Sequence, residues 1–233
     1  MSRPATRDDL SALPVEVAPR LLGARLETVV GGERVVLRVT EVEAYHGRGT
    51  GEQPDPGSHA RMGPTARNAT MWGEPGHLYV YLSHGIHSCV NVVCAPDGVA
   101  GGVLLRGGEV VEGADVAERR RLERRGAVRS ARDLARGPGR LGDAVGLRHP
   151  VHDGIDAITG VEQAGARARL LLPETPVRDV ATGPRVGVAG VAGTAAFPWR
   201  FWIEGDATVS AFRWGRGAAE EAARQGDTPP VLG

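Results

Sequence analysis

The chain has 233 residues, 28 basic side chains against 28 acidic ones, and only 4% aromatic residues. That length suits one domain and can bury a core without metal or disulfide staples, while a net charge of zero excludes steering of an anionic partner by a global field. Every cation is arginine, so no side-chain amine is available for Schiff-base chemistry; two cysteines make neither a disulfide framework nor a zinc knuckle; and no segment reads as a signal peptide or a membrane span.

Taken in chain order, residues 1–12 read as a flexible leader. Residues 15–22 read as a short helix closed by Gly23. Residues 25–30 and 34–45 read as strands around the turn at Gly31-Gly32. Residues 47–64 are rich in Gly and Pro and form a loop. Residues 78–83 and 86–94 are β-prone runs separated by His84-Gly85, the spacing of a two-residue hairpin turn. Pro96-Asp97-Gly98 marks another turn, and residues 103–106 a strand. Residues 112–134 read as one or two helices interrupted near Gly126, and Gly137-Pro138-Gly139 opens a short helix at 141–145. Further strands are expected at 167–172, 185–188 and 199–203. Residues 13–214 thus form one α+β domain, and the polar tail 215–233 is expected to be disordered.

All three tyrosines, both cysteines and five of the seven histidines fall between Glu43 and Cys94. The cysteines read as reduced, small and buried, as in a cytosolic protein. In the strand 35–43, alternation puts Glu41 and Glu43 on the face of Val35, Leu37 and Val39. Either a carboxylate enters a dry site, where desolvation suits it to accept a proton, or the strand end twists into solvent and both acids are hydrated. Alternation does not say which acid matters. Tyr79 and Tyr81, two apart, form a flat shelf that can stack a planar base or meet a cation, or simply pack. His84 at the hairpin tip can wedge between base pairs. His84, His87 and Cys89, with His59 or His77, also permit a weak metal reading. Nine arginines from Arg119 to Arg140 could track a phosphate backbone or form a solvated helix face with Glu–Arg pairs.

The ordered segments Leu21-Leu22-Gly23-Ala24-Arg25-Leu26, Glu41-Val42-Glu43-Ala44-Tyr45, Ser58-His59, Thr65-Ala66-Arg67-Asn68, Met71 and Pro75-Gly76-His77-Leu78-Tyr79-Val80-Tyr81 continue through Gly85, Asn91 and Val103-Leu104-Leu105-Arg106. They end with Gly137-Pro138-Gly139-Arg140-Leu141, Pro184-Arg185-Val186-Gly187 and Pro198-Trp199-Arg200-Phe201. Together they closely resemble the alkyladenine (3-methyladenine) DNA glycosylases of the mammalian type. The resemblance implies a single α+β domain with a curved, open barrel-like antiparallel sheet, surrounding helices and a hairpin that enters the DNA minor groove. It implies a monofunctional enzyme, free of metal or other cofactor, that hydrolyses the N-glycosidic bond of damaged purines flipped from double-stranded DNA. By position Glu43 activates water and Arg106 helps hold it. Tyr45, His59 and Tyr81 line the base pocket, with Asn91 at its floor. His84, Tyr79, Arg67 and Arg140 are the expected DNA contacts. A monomer is expected, cytoplasmic and nucleoid-associated, with no membrane contact. A catalytically inactive binder of distorted DNA and a metal-dependent hydrolase are the competing readings. The chain departs from the family's well-known members in carrying His rather than Tyr at the hairpin tip, and Gly142-Asp143 where they carry Cys-Gln.

Overall fold

A computed structural model describes residues 1–125 and 128–226. Strand β1 (Ser2–Pro4) and helix α1 (Arg7–Leu10) come first, then α2 (Pro14–Val17), β2 (Arg25–Val30), β3 (Glu33–His46), β4 (His77–Ser83), β5 (His87–Val93) and β6 (Gly101–Glu112). Helix α3 (Ala114–Arg125), β7 (Ala135–Arg136), α4 (Pro138–Val145), β8 (Ile155–Asp156), β9 (Ala166–Pro173), β10 (Val180–Gly183), β11 (Arg200–Ile203) and α5 (Ala218–Gln225) complete the order.

The strands form one antiparallel sheet in the order β1-β9-β2-β3-β6-β5-β4-β8, with β10–β11 attached to β3 and β7 to β6. The sheet is an open, curled half-barrel in a single mixed domain. A backbone hydrogen bond from Leu170 N–H to Ala157 O, at 2.9 Å, joins β9 to the residue after β8, so the sheet curls toward itself. One face of the sheet carries the main core. Leu26, Leu37, Val39, Val80, Val90, Val92, Val103 and Leu105 pack there with Leu141 and Val145 of α4 and with Leu10, Leu21 and Leu22.

One irregularity in β3 decides what the opposite face carries. Leu37 and Val39 face the core, but so do Val42 and Ala44, which have the opposite parity. The register against β6 skips Thr40 of β3 between Val39 and Glu41, and the next shift, between Glu41 and Val42, skips Arg106 of β6 instead. A one-residue slip moves each later side chain to the other face. Glu41 and Glu43 therefore leave the face of Leu37 and Val39, where simple alternation had them. The strand does not end in solvent: both carboxylates are fully buried.

Several expectations are corrected. The first twelve residues are tied down. Ser2–Pro4 pairs with β9, Thr6 and Asp9 form a reciprocal capping box, and Leu10 is fully buried. An edge strand of three residues and a one-turn helix are too short to leave a periodic trace. The hairpin turn holds three residues, His84 to Ile86, because Ser83 pairs with His87; Ile86 N–H bonds Ser83 O at 3.0 Å. Residues 185–188 are not a strand. Gly187 turns with φ of 72°, and the Val186 N–H is spent on a carboxylate instead of a ladder. The tail contains α5, whose Ala218 and Ala222 are buried against the 3₁₀ turn Gly190–Gly193. The helix break near Gly126 and the disorder of 227–233 lie outside the described residues.

Helix α4 docks on β5 through small residues. A Cβ on Gly142 would lie 2.0 Å from Ser88 O, and one on Gly139 2.4 Å from His87 Nδ1. Asp143 meets Arg121 at 3.3 Å. The Gly142-Asp143 pair thus belongs to a tight clamp on the hairpin root.

Candidate active site

The face opposite the core opens into a cleft of about 760 Å³. Nine of the ten side chains singled out from the sequence line it: Tyr45, His59, Arg67, Tyr79, Tyr81, His84, Asn91, Arg106 and Arg140. The tenth, Glu43, lies directly behind the wall. Cross-strand pairing explains the convergence, since Tyr79 opposes Asn91, Asn91 opposes Leu104, and Leu104 opposes Glu43. Alternate residues of four neighbouring strands therefore point into one space.

Three groups hold Glu43, and all three belong to cleft-lining residues. Tyr45 Oη donates to Oε2 at 2.8 Å, Arg106 Nη1 approaches Oε2 at 3.4 Å, and the Val186 N–H donates to Oε1 at 2.6 Å. The carboxylate itself is 0% exposed. Burial and the adjacent Glu43 charge push the Tyr45 hydroxyl well above its usual pKa, so it remains a donor. Two residues earlier, Glu41 is held more completely. Its Oε1 accepts from Arg200 Nε at 2.7 Å, Arg106 Nε at 3.1 Å and Ser210 Oγ at 2.9 Å; its Oε2 accepts from the Ser210 N–H at 2.8 Å. Burial alone would raise the Glu41 pKa, but the Arg106 and Arg200 charges and the Ser210 hydrogen bonds outweigh it and hold the carboxyl below its usual range. Burial likewise works to lower the pKa of Arg106, and Glu43 and Glu41 reverse it, so the guanidinium stays charged between them.

The ring walls are organised around Tyr81. His59 stands edge-on to it with centroids 4.6 Å apart, and Tyr79 stacks behind it at 5.5 Å. Tyr79 is 1% exposed, and its hydroxyl meets His59 Nδ1 at 3.3 Å. It backs the pocket wall, with almost none of its own surface open. Asn91 Nδ2 donates to Tyr79 O at 3.1 Å, which fixes the amide at the floor. His59 sits at the rim, yet the cleft walls withdraw enough water from its imidazole to lower its pKa, and Arg67 and Arg61 push the same way. His84 is exposed at the hairpin tip, in a left-handed conformation with φ of 50°. Short side chains with local hydrogen bonds tolerate that region best, and here Ser83 Oγ meets His84 Nδ1 at 3.0 Å.

The basic stretch divides in two. Arg119 pairs with Glu33, Arg120 donates to the carbonyls of Ala144, Val30 and Glu33, and Arg121 pairs with Asp143. These three fasten α3 to the body and do not form part of a phosphate track. Arg136 and Arg140 instead line the cleft, together with Arg61 and Arg67. Among the described residues, no three His, Cys, Asp or Glu side chains are grouped to hold a metal ion, and burial pushes the Cys89 thiol up to about 11.

Sequence reasoning passed over the second layer. Arg185 is fully buried and grips Asp55 through two hydrogen bonds of 2.8 and 2.7 Å. Arg200 and Ser210 anchor Glu41. A fully buried guanidinium looks like any other arginine in the sequence; only its segment, Pro184-Arg185-Val186-Gly187, drew attention.

Fold and cleft together define a single mixed domain whose ring-walled cleft lies beside a carboxylate–guanidinium pair and is lined with arginines. The family profile for methylpurine-DNA glycosylase (MPG) matches residues 8–207. A relative from Leifsonia xyli is 52% identical over 207 residues, covering 89% of this chain and 92% of its own length. One from Streptomyces avermitilis is 45% identical over 210 residues (90% and 92%), and one from Nocardia farcinica 46% over 207 residues (88% and 90%). Each of the three carries the name "Putative 3-methyladenine DNA glycosylase". The chain belongs to the methylpurine-DNA glycosylase family. It is a DNA glycosylase that acts in DNA repair. No helix among the described residues is long and apolar enough to cross a membrane.

Proposed function

We propose that the cleft receives one damaged purine nucleotide turned out of duplex DNA, as for the 3-methyladenine lesion in the relatives' names, and that Glu43 directs water at its anomeric carbon. The observation that carries this reading is the enclosure of Glu43 by three groups of the cleft wall: the Tyr45 hydroxyl, the Arg106 guanidinium and the Val186 amide. The Arg106 contact, at 3.4 Å, is the longest of the three. A water entering there would bond both the carboxylate and the guanidinium.

A purine inside the stack is out of reach, so the nucleotide must rotate out, and damage lowers the cost of doing so. Tyr45, His59 and Tyr81 provide ring faces and edges for the extruded base. Electron-rich rings favour a cationic alkylpurine over a normal one. Asn91, with its amide fixed, leaves little room for a purine 2-amino group. His84 at the hairpin tip fills the emptied stack. Arg67 and Arg140 at the rim meet phosphates.

As the C–N bond breaks, its electron pair leaves with the base and the sugar becomes cation-like. A nearby carboxylate stabilises that charge and takes a proton from the water whose oxygen bonds the anomeric carbon. With no lysine in the chain, no imine forms through a side-chain amine, and the product is an abasic site in an uncut strand. A bacterial repair enzyme of this kind meets its DNA in the cytoplasm, at the nucleoid, and the reading needs only a monomer.

The test is release of free base from duplex DNA carrying a single methylated, deaminated or etheno purine. Tight lesion binding without release by the wild type, or equal release by Glu43→Gln, would falsify the reading. Binding should also weaken steeply with salt; a flat response would remove the rim arginines from the phosphates.

A further inference from the structure

The side chain that most directly connects the parts of the pocket does not touch the cleft. Arg185 is fully buried, and its guanidinium fork meets Asp55 with Nη1–Oδ2 at 2.8 Å and Nη2–Oδ1 at 2.7 Å. The same Nη1 donates to Ala44 O at 3.0 Å, and Nε and Nη2 donate to Ala192 O at 3.3 and 3.2 Å. The plane of the guanidinium lies against the Tyr45 ring, 4.5 Å from its centroid. Asp55 accepts in addition from the N–H of His46 at 3.1 Å and of Gly57 at 2.9 Å. A Cβ on Gly57 would lie 2.8 Å from Arg185 Nη2, so the loop backbone is pressed onto the fork.

The contacts end on three segments: the loop before His59, the strand that carries Glu43 and Tyr45, and the turn at Gly190–Gly193. Asp55 is four residues before His59 on the same loop. Ala44 and Tyr45 are on the strand that carries Glu43. Val186, the next residue after Arg185, donates the amide that holds Glu43 Oε1. A planar fork with five fixed donors can hold three segments at set angles, which a point charge on a flexible stem does not.

We infer that Asp55 and Arg185 are positioning residues, a buried latch that sets the spacing of the Tyr45 and His59 walls and aims Glu43 through the neighbouring Val186 amide. The inference rests on the reading of the cleft as the base pocket. It assigns the latch no contact with the reacting atoms. Misplacement by about 1 Å is enough to cost about 10²-fold in rate, so a loosened latch should slow the chemistry while leaving phosphate contacts intact.

The experiment compares the wild type with Arg185→Lys, which keeps the charge and loses the fork, and Asp55→Asn, which keeps the shape and loses the charge. Leu170→Ala, in the core on the opposite face, serves as a control for lost stability. All are assayed at a temperature where circular dichroism shows them folded. Single-turnover base release is measured on hypoxanthine duplex. The fluorescence of an etheno-purine lesion, which reports stacking against the pocket rings, is recorded before release. The expected result is a rate loss of about 10²-fold in Arg185→Lys or Asp55→Asn. Lesion affinity should change by less than threefold, the etheno signal should change, and Leu170→Ala should keep the wild-type rate and signal. Wild-type rate and signal in both latch variants, or an equal loss in Leu170→Ala, overturns the proposal. If both latch variants fail to fold, the latch is structural and the proposal is overturned as well. A wild type that releases no base would sink the catalytic reading instead, and the etheno signal would still decide the latch.

Discussion

Glu41 and Glu43 stand two residues apart on one strand, both fully buried and both touching Arg106, yet they are held by different partners. Glu41 has two guanidiniums, a hydroxyl and an amide on its oxygens, and its charge is fully compensated. Glu43 has one long guanidinium contact, a tyrosine hydroxyl and an amide, each from a residue on the cleft wall. A carboxylate saturated by cations organises a structure; one held mainly by neutral donors beside a cleft is the one the proposed reaction assigns to water. The contrast shows why burial alone does not single out a carboxylate for catalysis. The partners, and what lies behind them, decide.

The contrast can be broken from either side. The largest effect should come from Glu43→Gln, which removes the base and keeps the shape. Base release in single-turnover assays should fall by about 10²- to 10⁴-fold, and stability by about 1–3 kcal/mol, because the new amide nitrogen must face one of the donors that bond the carboxylate, while Arg106 keeps Glu41. Glu41→Gln should do the reverse to first order. It leaves Arg106 and Arg200 buried without their shared counter-charge and should cost about 3–5 kcal/mol of stability, read from urea unfolding. Tyr45→Phe removes one charge-assisted hydrogen bond to Glu43, and a loss of about 1.5–3 kcal/mol is expected. Ser210→Ala trims the Glu41 cluster and should cost about 1–2 kcal/mol, with base release within a few-fold of wild type.

A pH series sharpens the same comparison with the smallest effect. The folded Glu41 pKa lies below its ordinary value, so its contribution is fully present above the usual carboxylate range and is lost as pH falls through the folded value. The stability gap between wild type and Glu41→Gln should therefore stay constant from pH 8 to 5 and shrink only in stronger acid. A gap that closes already near pH 6 would mean that Glu41 is not held as an anion.

Much of the fold was legible because it is local. The β2–β3 turn at Gly31-Gly32, the hairpin strands and the loop after Gly47 follow from turn chemistry and alternation. The misses have specific causes. The N-terminal strand and α1 are too short to show a period. The 185–188 run has strand-like composition, but its backbone serves a carboxylate. Tyr79 shares a face with Tyr81, and only packing shows that it stands behind it. The arginines of α3 look like a phosphate track in one dimension, but Arg120 and Arg121 are consumed inside.

By itself the sequence determined which residue types gather between Glu43 and Cys94, the absence of lysine, and the ordered segments that mark the family. Those are properties of composition and spacing. Tertiary structure alone decided that Glu41 and Glu43 leave the core face, that one is sealed by Arg106, Arg200 and Ser210, and that Arg185 reaches Asp55, 130 positions away. The physical reason is the bulge. A single extra residue in a ladder reverses the direction of every side chain after it, and no pattern of residue types along β3 announces where that reversal falls.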